Sequence, residues 1–166
     1  MREDILVLEL ARQPYALPVS QVREVLPRAA LTTLPGSPTG VIGVLSLRGT
    51  LLPVLDLRQR LGLLPTPATT SQCIIVTDLA RSTVGLLVDG VVGIETEEQI
   101  AEAPPRTSPS EIICQVTEID GRLISVLNPD AAVGADLARY VATIAPRQEM
   151  ALSDGARRGQ LPGPRP

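Results

Sequence analysis

The chain has 166 residues and a formal charge of −3, enough for one domain or two small subdomains without disulfide staples. It has no histidine, which excludes a Ser-His-Asp triad, an imidazole base and a phosphoacceptor histidine. All 15 basic residues are arginine and are scattered, and Phe and Trp are absent, so neither a basic stripe nor a base-stacking platform for nucleic acid is present.

In chain order, the apolar runs "ILVLEL" from Ile5, "YALPV" from Tyr15, "TTLP" from Thr32, "VIGVLSL" from Val41 and "TLLPVLDL" from Thr50 are short, rich in Leu and β-branched residues, and punctuated by Gly, Pro and Asp. "CIIVTDL" from Cys73, "TVGLLV" from Thr83, "EIICQVTEI" from Glu111 and "RLISVL" from Arg122 continue the pattern, giving a mainly β protein. Several runs are apolar at nearly every position, which implies strands covered on both faces, as in small barrels. "LPTPATTSQ", 64–72, and the Pro-rich "AEAPPRTSPSE", 101–111, read as connections. "ETEEQIAE", 95–102, lacks the ligand pattern of a calcium loop and reads as a solvated helical turn. "ADLARYVATI", Ala135 to Ile144, reads as an amphipathic helix carrying Leu137, Tyr140, Val141 and Ile144 on one side. The expected domain is 1–145, with a polar, Gly- and Pro-rich 146–166 as a disordered tail.

No signal-peptide pattern opens the chain, and no apolar run approaches the ~20 residues that span a bilayer, so the expectation is a soluble cytoplasmic protein without membrane insertion. Cys73 and Cys114 lie far apart in apolar runs, with no other Cys or His to complete a zinc site; both are expected to be buried structural thiols. Nothing in the pattern calls for a metal or cofactor.

An internal repeat organises these runs. "YALPVSQVREV" from Tyr15 aligns without gaps on "VGLLVDGVVGI" from Val84, matching Leu17 with Leu86 and Val25 with Ile94. "PTGVIGVLSLRGTLLPVLD" from Pro38 aligns with "PSEIICQVTEIDGRLISVLN" from Pro109 once one residue is inserted, so that Gly49 meets Gly121 and Asp56 meets Asn128. The repeat halves are about 15–64 and 73–133, and they predict a pseudo-twofold pair of small barrels with short helices and a C-terminal helix.

In the second copy the hairpin turn is Asp120-Gly121, a strong tight-turn signal because both residues tolerate positive φ. Arg48-Gly49 should occupy the equivalent turn, yet Arg is not a turn former, so its selection suggests a functional role. Asp56 and Asn128 are placed to cap short helices, with Pro129 at the first helical position. Arg58 and Arg60 follow as expected surface charges of a short helix, with Arg58 a weaker candidate for a partner contact. Glu24, in "QVREV", is an exposed carboxylate beside a predicted sheet. Asp89 in "LLVDGVVG" resembles the elbow of dimeric aspartyl hydrolases but lacks the following Ser or Thr, so a strand-end turn is the simpler reading.

Together, "VREVL", "GVIGVLSLRGTLLPVLDLRQRLGL", "VGLLVDGV" and "DGRLISVLN" resemble the CheW-like chemotaxis coupling family, from about Ile5 to Val133. The resemblance implies two SH3-like five-stranded barrels with no catalysis, acting as an adaptor between the cytoplasmic tips of chemoreceptors and the regulatory domain of a CheA-type histidine kinase. It carries receptor and kinase coupling onto Glu24, Arg48 and Gly49. Ser46 departs from the family's usual Asn, and Leu8 or Leu10 stands where the family has an aromatic in its first strand. An adaptor of a pilus, developmental or second-messenger chemosensory system is the alternative within the class.

Overall fold

In the computed structural model the described residues are 3–64, 67, 69–102 and 110–144. The 146–166 tail expected from composition lies outside them, as does part of each predicted connection. In chain order the elements are β1 (Ile5–Leu10), β2 (Gln13–Pro18), β3 (Val22–Pro27), β4 (Val41–Leu47), β5 (Thr50–Asp56), α1 (Leu57–Arg60), β6 (Cys73–Asp78), β7 (Thr83–Val88), β8 (Gly90–Glu95), β9 (Ala101–Glu102), β10 (Ile113–Ile119), β11 (Arg122–Leu127), α2 (Pro129–Val133) and α3 (Ala135–Ile144). None of the described helices is long and apolar enough to cross a membrane.

Two sheets form, in the orders β3-β6-β7-β5-β4 and β8-β1-β2-β11-β10, the second extended by the two-residue β9. Replacing each strand by its repeat partner converts one order into the other, with β5·β7 and β11·β2 as the corresponding parallel pairs. The bulges obey the same exchange. Arg23 is the unpaired residue of β3 and Val92 that of β8, while Ile42 and Cys114 are the unpaired residues of β4 and β10. A bulge breaks the alternation that fixes which face a side chain takes, so its recurrence at aligned positions is strong internal support for the repeat.

The sheets are not the repeat halves themselves. The first takes β3, β4 and β5 from one half and β6 and β7 from the other, and the second sheet makes the reverse choice. The halves are therefore intertwined. The main core lies between the sheets and under the helices, where Leu8, Leu10 and Leu17 meet Leu55, Ile75, Leu86, Leu127 and Val141. Leu8 and Leu10 are both fully buried, so aliphatic packing fills the first strand. Each sheet also encloses a smaller cluster, around Val54, Ile74 and Leu87 in one and Val7, Ile119 and Ile124 in the other.

The first sheet curls until its ends meet. Thr32, after β3, exchanges backbone hydrogen bonds with Val44 of β4, at 3.0 Å and 2.8 Å. Gly43 permits this approach, since a Cβ there would lie 2.9 Å from both the Leu31 Cβ and the Thr32 carbonyl oxygen. The pairing of β9 with β10 is the equivalent seam in the second barrel.

The short helices begin as the residues require. Asp56 Oδ1 accepts the Arg58 N–H at 3.0 Å and Asn128 Oδ1 accepts that of Ala131 at 3.4 Å, with Pro129 opening α2. Leu137 and Val141 of α3 are buried. Glu97–Gln99 forms a single exposed 3-10 turn capped by Thr96, as its acidic composition suggests.

Candidate functional site

Leu47 pairs directly with Thr50, leaving Arg48 and Gly49 as a two-residue turn with φ of 50° and 80°. Asp120 and Gly121 do the same between Ile119 and Arg122, at 50° and 76°. Positive φ at both central positions is the turn whose twist matches a hairpin. Asp adopts it readily through its short polar side chain, whereas Arg has no such aid.

The Arg48 side chain reaches across the seam of the first barrel. Nη1 and Nη2 donate to Glu24 Oε1 and Oε2 at 2.9 Å and 3.0 Å, a bidentate pair. Glu24 stands on β3 immediately after the Arg23 bulge, so barrel closure brings the two together over 24 residues of sequence. The hydrogen bond and charge of Arg48 hold the Glu24 carboxyl below its ordinary range, and Glu24 in turn raises the Arg48 guanidinium. The pair is at the surface, with the Arg48 side chain 73% exposed and that of Glu24 28% exposed. Exposed Val25 follows Glu24 on β3 and takes the other face of the strand, and exposed Leu51 is opposite Ser46. This is a bidentate charged pair at the surface, and neither member is a nucleophile.

The second barrel carries a different version of this face. Its equivalents of Glu24 and Arg48 are Gly93 and Asp120, so no charge pair can form, while Val92, Ile94 and Leu123 are exposed. Sequence reasoning missed Arg23, whose Nε donates to Asp78 at 2.7 Å beside Glu24.

Three expectations are corrected. Arg58 is not a surface charge: its side chain is 4% exposed, with Nη1 3.1 Å from Asp89 Oδ1 and Nε 3.5 Å from Asp56 Oδ1. Its helix is a single turn, and the arginine side chain folds back to line a cavity with Asp56, Ile74 and Leu87 instead of standing out from the surface. Arg60 is also engaged, donating to the carbonyls of Ala132 and Val133 at the end of α2, at 3.2 Å and 2.5 Å. The thiols are not both buried: Cys73 is partly exposed, and Cys114 is exposed because, as the unpaired bulge residue, it leaves the alternation of its apolar neighbours. The Cys114 sulfur still turns to the Val126 carbonyl, and partial burial pushes its thiol pKa up.

Asp89, weighed as a catalytic acid, accepts the Ala11 N–H at 2.8 Å and pairs with Arg58. Those are the contacts of a structural tie. Among the described residues no cluster of three or more His, Cys, Asp or Glu is arranged to hold a metal ion.

Comparison with known proteins places this geometry. The family model of the CheW-like domain matches residues 4–136. The chain belongs to the CheW-like family. It is 34% identical to the probable chemotaxis protein CheW of Rhizobium etli over 133 residues, which cover 77% of this chain and 85% of the relative. The CheW of Bacillus subtilis is 29% identical over 135 residues, covering 79% and 86%. The crystal structure of the scaffolding protein TtCheW from Thermoanaerobacter tengcongensis matches with a TM-score of 0.71 at 26% identity, covering 82% of this chain and 96% of that one. This CheW-like protein is thus a chemotaxis coupling adaptor of SH3-like barrels.

Proposed function

We propose that this CheW-like protein acts by binding alone, without turnover or cofactor, in the cytoplasm at receptor arrays. It bridges the cytoplasmic tip of chemoreceptors and the regulatory domain of a CheA-type histidine kinase. Arg48, Glu24 and Gly49 form one contact face. The observation that carries this reading is Arg48 itself: it occupies a turn position better suited to Asp or Asn, and it spans the barrel seam to an exposed carboxylate. Arg58, buried among carboxylates, acts from within rather than at a partner surface.

Co-purification tests the reading. The protein should capture both a receptor signalling fragment and a kinase regulatory domain from its own organism, and should raise receptor-dependent kinase activity in a reconstituted mixture. Capture of neither would end the proposal. A likeness to Protein PilI of Pseudomonas aeruginosa, 37% identical over 81 residues and covering 49% of this chain, supports a pilus chemosensory system as the second reading. Capture of a pilus-system kinase in preference to a flagellar one would decide for it.

A further inference from the structure

The apolar core between the barrels is built from Leu, Ile and Val, whose packing is strong but weakly directional. At its margin, beside the first barrel's own apolar cluster, an ionic arrangement joins both barrels. Arg58, on α1 at the end of the first barrel's β5, pairs with Asp56 on its own side. It also pairs with Asp89, which lies where the chain leaves β7 of the first sheet for β8 of the second. Asp89 Oδ2 then takes the Ala11 N–H in the β1–β2 turn of the second barrel, and the Asp89 N–H donates to the Glu9 carbonyl at 3.0 Å.

That turn needs support. Ala11 and Arg12 have φ of 49° and 64°, left-handed values that neither residue favours. Such a conformation persists where surroundings over-determine it, and the Asp89 carboxylate does so at its first residue. The guanidinium suits the role because its flat fork of donors addresses separate carboxylates at fixed angles, which a lysine cannot do. Arg60, on the same helix, adds a second link from the first barrel to the end of α2.

We propose that Arg58 and Asp89 form an inter-barrel clasp, positioning residues that set the angle between the two barrel faces and hence the geometry in which an adaptor holds its partners. The inference rests on the adaptor reading for its functional consequence, but its structural half is independent of it. A buried pair that adds little net stability can still select one orientation.

The test uses the full chain with spin labels on Leu51→Cys and Leu123→Cys, in a Cys73→Ser/Cys114→Ser background, so that each label reports one barrel face. Asp89→Asn retains an acceptor for the Ala11 N–H while removing the charge, and Arg58→Lys retains the charge while removing the fork. Both variants should unfold cooperatively, show an inter-label distance distribution about twofold broader than the parent, and bind each partner alone within about threefold of it. Receptor-dependent kinase activity should nevertheless fall severalfold. An unchanged distance distribution in Asp89→Asn overturns the clasp, as does unchanged coupling despite a broadened one. If the parent itself captures no receptor or kinase fragment, the adaptor reading fails, while the distance measurement still judges the clasp.

Discussion

The internal repeat supplies a control for the turn at the candidate site. Gly49 and Gly121 hold equivalent positions with φ of 80° and 76°, and a Cβ at either would meet no atom within 4 Å. Replacing either by Ala therefore adds backbone strain and no clash. Strain of about 1–2 kcal/mol for a left-handed residue, less about 0.4–1 kcal/mol from the stiffened unfolded chain, leaves a net cost near 1 kcal/mol. For a chain of 166 residues that lowers Tm by about 2–4 °C, the same for both variants, by calorimetry or circular dichroism. Binding should separate them. Gly49→Ala strains the turn that presents Arg48 to Glu24 and should weaken partner binding in isothermal titration, whereas Gly121→Ala, beside Asp120 and with no charge pair to disturb, should leave that contact intact. Equal loss of binding in both variants would show that the Arg48–Glu24 pair is not the contact, and a Tm drop several times larger in one would show that the two turns are not equivalent.

Gly43→Ala should cost about 1–3 kcal/mol, because its Cβ would press on the Thr32 carbonyl 2.9 Å away, and chemical-shift changes at Glu24 and Arg48 should report the loosened seam. The Glu24 carboxyl titrates below its ordinary value of 4.5, so the pair's contribution is present above that range and is lost as pH falls through the lowered value. Carboxyl NMR of Arg48→Ala should show the Glu24 midpoint return toward 4.5, and with no histidine in the chain the pair should be insensitive to pH near neutrality. Cys114, though exposed, should react more slowly with a thiol reagent near neutral pH than a free cysteine, since its raised pKa leaves less thiolate.

The repeat made most of the fold legible, because Leu17 and Leu86 are both buried while Val25 and Ile94 are both exposed, as gap-free alignment requires. It also isolated Arg48, by showing in Asp120 what an ordinary turn would use. It could not show that Glu24 is the partner: that contact depends on a sheet curling until its two ends meet, and no local pattern encodes the closure. The burial of Arg58 is not legible because "DLRQR" is one helical turn, too short for periodicity to distinguish an inner face, and Asp89 lies 31 residues further on. The exposure of Cys114 is not legible because its neighbours are apolar and a bulge is invisible in composition. In each case the deciding contact came from a different element, or from a break in the regular alternation.

On the proposed adaptor role, Arg48 and Glu24 serve a partner more than the fold. The direct measurement is the affinity of Arg48→Ala and Glu24→Ala, beside the parent, for the receptor fragment and the kinase regulatory domain, with Tm recorded on the same samples. Both variants should keep the parent Tm within a degree or two and lose about tenfold or more in affinity for the same partner, as hot-spot residues do. Full affinity for both partners, or a collapse of Tm with normal binding by the folded fraction, would show that the pair does not serve a partner.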